Sequence, residues 1–377
     1  MMRLSLWDHN YSHLNPDNFV YYTDFQLLEN NVVRFPRQIP DSLLGATANV
    51  NHCHHFRPAI LIQDSHDTTL KKVTIHAHAG MGIVGFDSHN ITMEELSVKP
   101  APGYYHSTNT DATHFASCSG LIRFNACYFQ GQGDDATNVH GYYQTIIHTE
   151  DNHAELQVKA PTYTHTQALD APLVGDTLEL VEITTLQPVK NLIVLKSSHL
   201  PNATSCEVEL SEPLPTDYQN YYLMNISKLP RLEFVNNVVN SHLARGVLVK
   251  TRGAKIANNI FRHCSGTAIH VGAESWWHEG THAKNVEITD NMILGCGLGA
   301  GTQGGAAGIS VIIDAKDTDN TYLHENIIIR NNHINGKQNR CGIYVSNARN
   351  VTIENNHVTN CQTDIITNST TNLTITH

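Results

Sequence analysis

Three aspartates are the residues most able to do chemistry in this chain. Asp111 lies in Asn109-Thr110-Asp111-Ala112-Thr113-His114-Phe115, and the other two in Gly133-Asp134-Asp135-Ala136-Thr137-Asn138-Val139-His140-Gly141. Asp111-Ala112-Thr113 returns as Asp135-Ala136-Thr137, the spacing of one structural repeat. If those repeats stack as neighbouring strands, Asp111 and Asp135 stand side by side, ~5 Å apart. Packed carboxylates raise one another's pKa, so a protonated acid can sit beside ionised partners. That pairing suits acid/base cleavage of a glycosidic bond. An isolated Asp-Asp pair is more simply a turn or a cap. Three aspartates in register with basic residues are not.

Aligning the apolar positions of later strands sets Val139, Val249 and Val271 level. Arg245 then falls on the level of Asp111 and Asp135, and Lys250 on that of His140. Asp134, out of line with the other two, is the expected general acid, with Asp111 and Asp135 orienting and deprotonating water. An inverting hydrolase needs acid and base about 6.5–9.5 Å apart to admit that water. Downstream, Gly272-Ala273-Glu274-Ser275-Trp276-Trp277-His278-Glu279-Gly280 leaves the repeat as a loop carrying two of the chain's 3 tryptophans. Aromatic faces stack on sugar rings and a carboxylate accepts sugar hydroxyls, which marks Trp276, Trp277 and Glu274 as candidate sugar contacts. The plainer alternative is a Trp pair plugging the side of the stack. No serine or cysteine triad, phosphate loop or dinucleotide fingerprint is present; Gly297 to Gly305 looks like a flexible loop. His52-Cys53-His54-His55 has zinc-ligand residue types but no second cluster at a matching spacing, so neither metal nor cofactor is expected.

The elements that would position these residues are periodic. Leu70-Lys71-Lys72-Val73-Thr74-Ile75 recurs 23 residues later as Met93-Glu94-Glu95-Leu96-Ser97-Val98, and again from Phe124. Past residue 230, apolar-flanked Asn-Asn or Asp-Asn pairs end at Asn237, Asn259, Asn291, Asn332 and Asn356, with steps of 22, 32, 41 and 24. Short β-branched strands, glycine turns and stacked asparagines at this period specify a β-solenoid, with loop insertions in the longer steps. A stacked amide can satisfy backbone groups stranded by a tight bend and tolerate a left-handed conformation there. The 3.6-residue pattern of a helical repeat is absent.

Residues 145–230 break the period and read as antiparallel strands, a small inserted β-barrel or sandwich that could wall the site or merely decorate the stack. Residues 1–50 form a poorly patterned β segment, with Phe19 to Tyr22 and Val32 to Phe35 as expected strands. The division is therefore 1–50, a first solenoid part 51–144, the insertion 145–230 and a second solenoid part 231–377.

A net charge of −11 over 377 residues argues against nucleic acid as a partner, and mildly against a polyanionic substrate. No apolar run is long enough to span a bilayer. Met1 to Asn10 has too short an apolar core for a signal peptide, so the expectation is a cytoplasmic protein or a leader absent from this sequence. Of 8 cysteines, Cys264, Cys296 and Cys361 share one repeat position, five residues past an asparagine. Buried stacked thiols are the plain reading, with a Cys264–Cys296 disulfide sterically allowed.

The residues above carry a resemblance to glycoside hydrolase family 110, the α-1,3-galactosidases, over roughly residues 50–370. It rests on Val73-Thr74-Ile75-His76 with Ala79-Gly80-Met81-Gly82, on the two aspartate segments, on Arg245-Gly246-Val247-Leu248-Val249 and on Trp276-Trp277-His278-Glu279-Gly280. The aspartate segments together are the specific part. The resemblance implies an all-β, right-handed parallel β-helix with inserted β-barrel modules. It also implies metal-free, inverting removal of terminal α-linked galactose by Asp111, Asp134 and Asp135. Asn109, His114, Asn138, His140, Arg245 and Lys250 would then contact sugar beside Glu274, Trp276 and Trp277. Such enzymes are longer and usually exported. A looser likeness to polygalacturonases runs through Asn109-Thr110-Asp111, Asp134-Asp135, His140-Gly141 and Val249-Lys250-Thr251. Polyuronide hydrolysis, or a catalytically silent glycan-binding helix, is the alternative function. The partner is a carbohydrate, neither nucleic acid nor membrane, with homo-oligomer formation left open.

Overall fold

The computed structural model describes residues 2–7, 20–22, 26–34, 41, 45–51, 57–158, 171–199, 204–299 and 306–376. The segment His52 to His55 and much of the glycine-rich loop past Gly299 lie outside that set. The described chain is built of strands with almost no helix, wound as a right-handed parallel β-helix. Right-handed winding is the hand that strand twist imposes on parallel crossovers.

Three columns of parallel strands make the faces. One runs through His66–Lys71, His89–Glu94, Ser119–Asn125, Arg231–Val235, Arg252–Ala257, Lys284–Thr289 and His324–Arg330. A narrow second column runs from Thr74–Ile75 through Tyr128–Gln130, Val238–His242 and Ile260–Cys264 to Met292–Leu294. The third stacks Ile60–Gln63, Ile83–Phe86, Thr113–Ala116, the start of Thr137–Glu150, Val247–Val249, Ile269–Glu274 and Ala307–Asp314. Alternate side chains turn inward, so Phe115, Val139, Val249, Val271 and Val311 meet Phe124, Phe234 and Ile256 in one continuous core. Phe124 and Phe234, on adjacent coils, hold their rings 5.2 Å apart.

The asparagine repeat divides its labour between two positions. The first residue of each pair takes the left-handed turn: Asn236, Asn258, Asp290, Asn331 and Asn355 have φ between 52° and 59°. The second buries its amide and builds the ladder. Asn259 Nδ2 donates to Phe234 O at 2.8 Å and to Asn291 Oδ1 at 2.9 Å, and Asn291 and Asn332 repeat the pattern upward. Earlier coils put Lys72, Glu95 and Ala126 in the left-handed position, so the turn is set by the coil and the amide serves the ladder. The expected single residue doing both jobs is thus two residues. Cys264 and Cys296 are buried and stacked as free thiols.

The inserted segment closes on itself. Thr137–Glu150 pairs with His153–Gln157, which pairs with Ser205–Leu210, then Pro188–Ser198, Thr177–Glu182 and Tyr221–Asn225, which returns to Thr137–Glu150. Every pairing is antiparallel, which makes a six-stranded barrel with its own core of Leu156, Leu178, Leu192, Val208 and Leu223. Its first strand begins as a rung of the third solenoid column. The barrel therefore grows directly out of the rung carrying Asn138 and His140. Arg252 on the solenoid donates to Glu179 Oε2 on the barrel at 2.6 Å.

Candidate active site

The third column sets the site by register alone. Phe115, Val139, Val249 and Val271 occupy one level across four coils. Two residues before the strands, Asp111, Asp135 and Arg245 line up: Ala112 N–H donates to Asp135 O at 3.0 Å and Ala136 N–H to Arg245 O at 3.1 Å. One face of the strands presents His114, Asn138, Leu248, His270 and Ser310 in a row, and His140 beside Lys250 in the next. Strand alternation decides this: the neighbours of each inward valine must point out.

Oxygens of Asp111, Asp134 and Asp135 lie within 4.8 Å of one another. One facing oxygen from each residue sets that figure, whereas the about 6.5–9.5 Å of an inverting acid–base pair is measured between whole carboxyl groups. Asp111 and Asp135 are buried, whereas Asp134 is half-buried. Asp135 Oδ1 accepts the Arg245 backbone N–H at 2.8 Å and Nε at 3.3 Å, and Oδ2 accepts Nη2 at 3.2 Å. Asp111 Oδ2 lies 2.7 Å from Nδ1 of His114. Burial first, then the charges of Asp135 and Glu279, push the Asp111 carboxyl well above its ordinary range, with Arg245 and Lys250 offsetting part of that rise.

Two glutamates complete the constellation. Glu274 places Oε1 2.5 Å from Arg245 Nη1 and Oε2 against Lys250 Nζ. Lys250, fully buried, also donates to Glu279 Oε2, which accepts from Asn138 Nδ2 at 2.9 Å as well. Burial would raise both glutamates, but the cations override it: Glu274 is held at about 2 by Arg245 and Lys250. His140, when it carries a charge, and Lys250 hold Glu279 well below its ordinary value. Burial lowers Lys250, and the two glutamates more than restore it.

Glu279 has no mark in the sequence as a site residue. It arrives because Glu274 and Glu279 pair across a short antiparallel hairpin, whose Gly280 then pairs with Gly141. Gly280 lies over the Tyr143 ring, so close that a Cβ would overlap it. The only signal available was the position of Glu279 directly after Trp276-Trp277-His278 in the motif. The tip of the hairpin leaves Trp276 81% and Trp277 49% exposed, so neither plugs the stack. Asn109 is nearly buried, its amide donating to Ala79 O at 3.1 Å and its Oδ1 3.1 Å from His106 Nε2. His270, in the same row as His114, was also unmarked; its Nδ1 lies 2.9 Å from Ser310 Oγ.

Among the described residues, two groupings have the residue types of a metal site: the three aspartates, and His114, His140 and Glu279, each with ligand atoms within 4.8 Å of one another. In the second, the two Nε2 atoms are 2.7 Å apart. Two nitrogens on one tetrahedral zinc stand about 3.3 Å apart, given Zn–N bonds of ~2.0–2.1 Å. The separation is that of a hydrogen bond.

No protein-family model matches the chain. It is 32% identical over 259 residues to alpha-1,3-galactosidase B of Phocaeicola vulgatus, covering 64% of this chain and 42% of that protein. It is 29% identical over 297 residues to alpha-1,3-galactosidase B of Akkermansia muciniphila, covering 76% and 37%. With alpha-1,3-galactosidase A of Bacteroides fragilis the figures are 28% over 301 residues, 76% and 48%. The chain thus spans less than half the length of these curated relatives. A Yersinia enterocolitica family 28 exopolygalacturonase is similar at 13% identity and a TM-score of 0.39, covering 81% of this chain and 44% of that one, too low a score to carry weight.

Proposed function

We propose that the chain is a glycoside hydrolase that removes terminal α-linked galactose, α-1,3-linked in the first instance, with inversion at the anomeric carbon. The observation that carries this is the stacking of Asp111, Asp134, Asp135 and Arg245 on adjacent coils, in a chain similar to curated alpha-1,3-galactosidases. Asp134, the most open of the three aspartates, gives its proton to the departing glycosidic oxygen as the C1–O bond breaks. Water bonds to C1 from the opposite face, and Asp111 and Asp135 take its proton. Retention would need a carboxylate free to attack C1. Asp135 is held by three N–H groups of Arg245 and Asp111 by His114, which favours the water route.

The electrostatics favour a neutral sugar over a polyuronide. Arg245 and Lys250 point at Asp135, Glu274 and Glu279, so neither cation is left uncompensated for a substrate carboxylate. In this arrangement Lys250 and Glu274 position Arg245 and the aspartates, while Trp276 and Trp277 offer stacking faces at the rim. The test is galactose release from galactosyl-α-1,3-galactose, with Asp134→Asn as the control. The expected result is release by the native chain and a loss of at least about 10³-fold in the variant. Full activity in Asp134→Asn would reject the assignment.

A further inference from the structure

Behind Asp111 the side chains continue inward in single file. His114 Nδ1 lies 2.7 Å from Asp111 Oδ2, His114 Nε2 lies 2.7 Å from His140 Nε2, and His140 Nδ1 lies 2.9 Å from Gly141 O. His140 is fully buried and His114 nearly so, with Tyr142 edge-on to His140 at 4.9 Å between centroids. Glu279 flanks the end of the file, its Oε1 3.7 Å from the same His140 Nε2 that meets His114, beyond hydrogen-bond reach but close enough to act as a counter-charge. With both rings neutral, these contacts fix where the protons are. A carbonyl only accepts, so His140 Nδ1 carries a hydrogen. Neutral His140 then has a bare Nε2, and His114 must donate to it from its own Nε2. That leaves His114 Nδ1 bare, and the hydrogen of the last link belongs to Asp111. Removing it would leave two lone pairs facing each other at hydrogen-bond distance.

We propose that Asp111, His114 and His140 form a buried proton wire ending at His140 beside Glu279, through which the proton of the attacking water is taken up; this rests on the hydrolase reading above. The reaction balances as follows. Asp111 accepts the water proton on Oδ1 as hydroxyl oxygen bonds to C1, and passes its Oδ2 hydrogen to His114 Nδ1. His114 passes its Nε2 hydrogen to Nε2 of His140. Asp111 stays neutral throughout, every link still holds one hydrogen, and the positive charge finishes on His140 against ionised Glu279. Return of the proton along the same path after product leaves resets the site. The surroundings suit both ends. Burial raises Asp111 and lowers both imidazoles, which places the resting hydrogen on Asp111. The titratable carboxyls facing the wire are Asp134, Asp135 and Glu279, with Arg245 and Lys250 as the cations nearby. A neutral carboxyl can in this way serve as a base, which an isolated one could not do.

The resting state is tested without any turnover, by ¹⁵N NMR of the histidine-labelled native chain at neutral pH. The expected result is opposite tautomers: His114 as Nε2–H and His140 as Nδ1–H, both neutral. An imidazolium at either position, the same tautomer at both, or one equivalent of zinc bound by the two rings overturns the wire. The transfer is tested by a proton inventory of galactose release in mixtures of light and heavy water. A bowed plot for the native chain, straightened in His140→Phe, is expected, because more than one proton moves in the native step. A straight native plot overturns the relay. A chain that hydrolyses no galactoside fails the hydrolase reading, and the NMR result still decides the wire's resting state.

Discussion

Arg245 closes on Asp135 with both its backbone and its side chain: the N–H at 2.8 Å, Nε at 3.3 Å and Nη2 at 3.2 Å, while Nη1 reaches Glu274. One residue thereby fixes two carboxylates from different coils. A planar fork can do this and an ammonium cannot. Arg245→Lys should retain the fold and lose about 10²-fold or more in kcat/KM. Arg245→Met should in addition cost about 3–5 kcal/mol, because buried Asp135 loses its cation and Glu274 keeps only Lys250. Kinetics on the first variant and urea unfolding of the second check the pair.

The Lys250–Glu274–Glu279 cluster should dominate acid stability. Glu274 sits at about 2 in the folded chain against 4.5 ordinarily, so its folded pKa is depressed. A depressed carboxyl stabilises fully above its unfolded pKa and loses that contribution as pH falls through the folded one. The window runs from 4.5 down to about 2. Lys250→Met should lower stability at neutral pH and flatten its dependence across that window. Circular dichroism melts at a series of pH values give the comparison, and superimposable curves would contradict it.

Inner and outer asparagine ladders should behave differently. Asn291 is buried and accepts from both the N–H and the amide of Asn259 while donating to Ile256 O and Asn332 Oδ1. Asn291→Ala strands several of these groups and should cost about 2–4 kcal/mol. Asn326 belongs to an exposed ladder, bonded to Asn285 at 2.9 Å and Asn350 at 3.0 Å with φ of 57°. Asn326→Gly keeps the left-handed turn and should stay within about 0.5 kcal/mol of the native value.

Gly133 should be needed for Asp134. A Cβ there would overlap the Asn109 carbonyl oxygen and sit 3.0 Å from His106 Cε1. Backbone does not yield as a side chain would. Gly133→Ala should therefore displace the neighbouring acid and lower kcat by about 10²-fold with little change in KM. An unaltered kcat would show that the loop absorbs the methyl.

How far the sequence could be read follows from which contacts are periodic. The steps between Asn237, Asn259, Asn291, Asn332 and Asn356 reveal the coil, and coil register alone sets Asp111 beside Asp135 and Arg245, and His140 beside Lys250. Glu279 was illegible because it comes back to the site through an antiparallel hairpin, which obeys no repeat. The Asp111–His114–His140 file was illegible for a related reason. Residue types and register bring the rings near one another, but ring rotation decides which nitrogens meet. The closure of the insertion into a barrel depends on Tyr221–Asn225 returning to the strand that leaves the solenoid, a pairing between segments far apart in sequence.

The most direct test of the hydrolase account is the anomer first released from galactosyl-α-1,3-galactose, followed by proton NMR before mutarotation. The three-aspartate water mechanism predicts β-galactose at the earliest times, with the α-anomer growing in later at the rate of mutarotation. α-Galactose as the first product would contradict it, since one of the aspartates would then have bonded to C1.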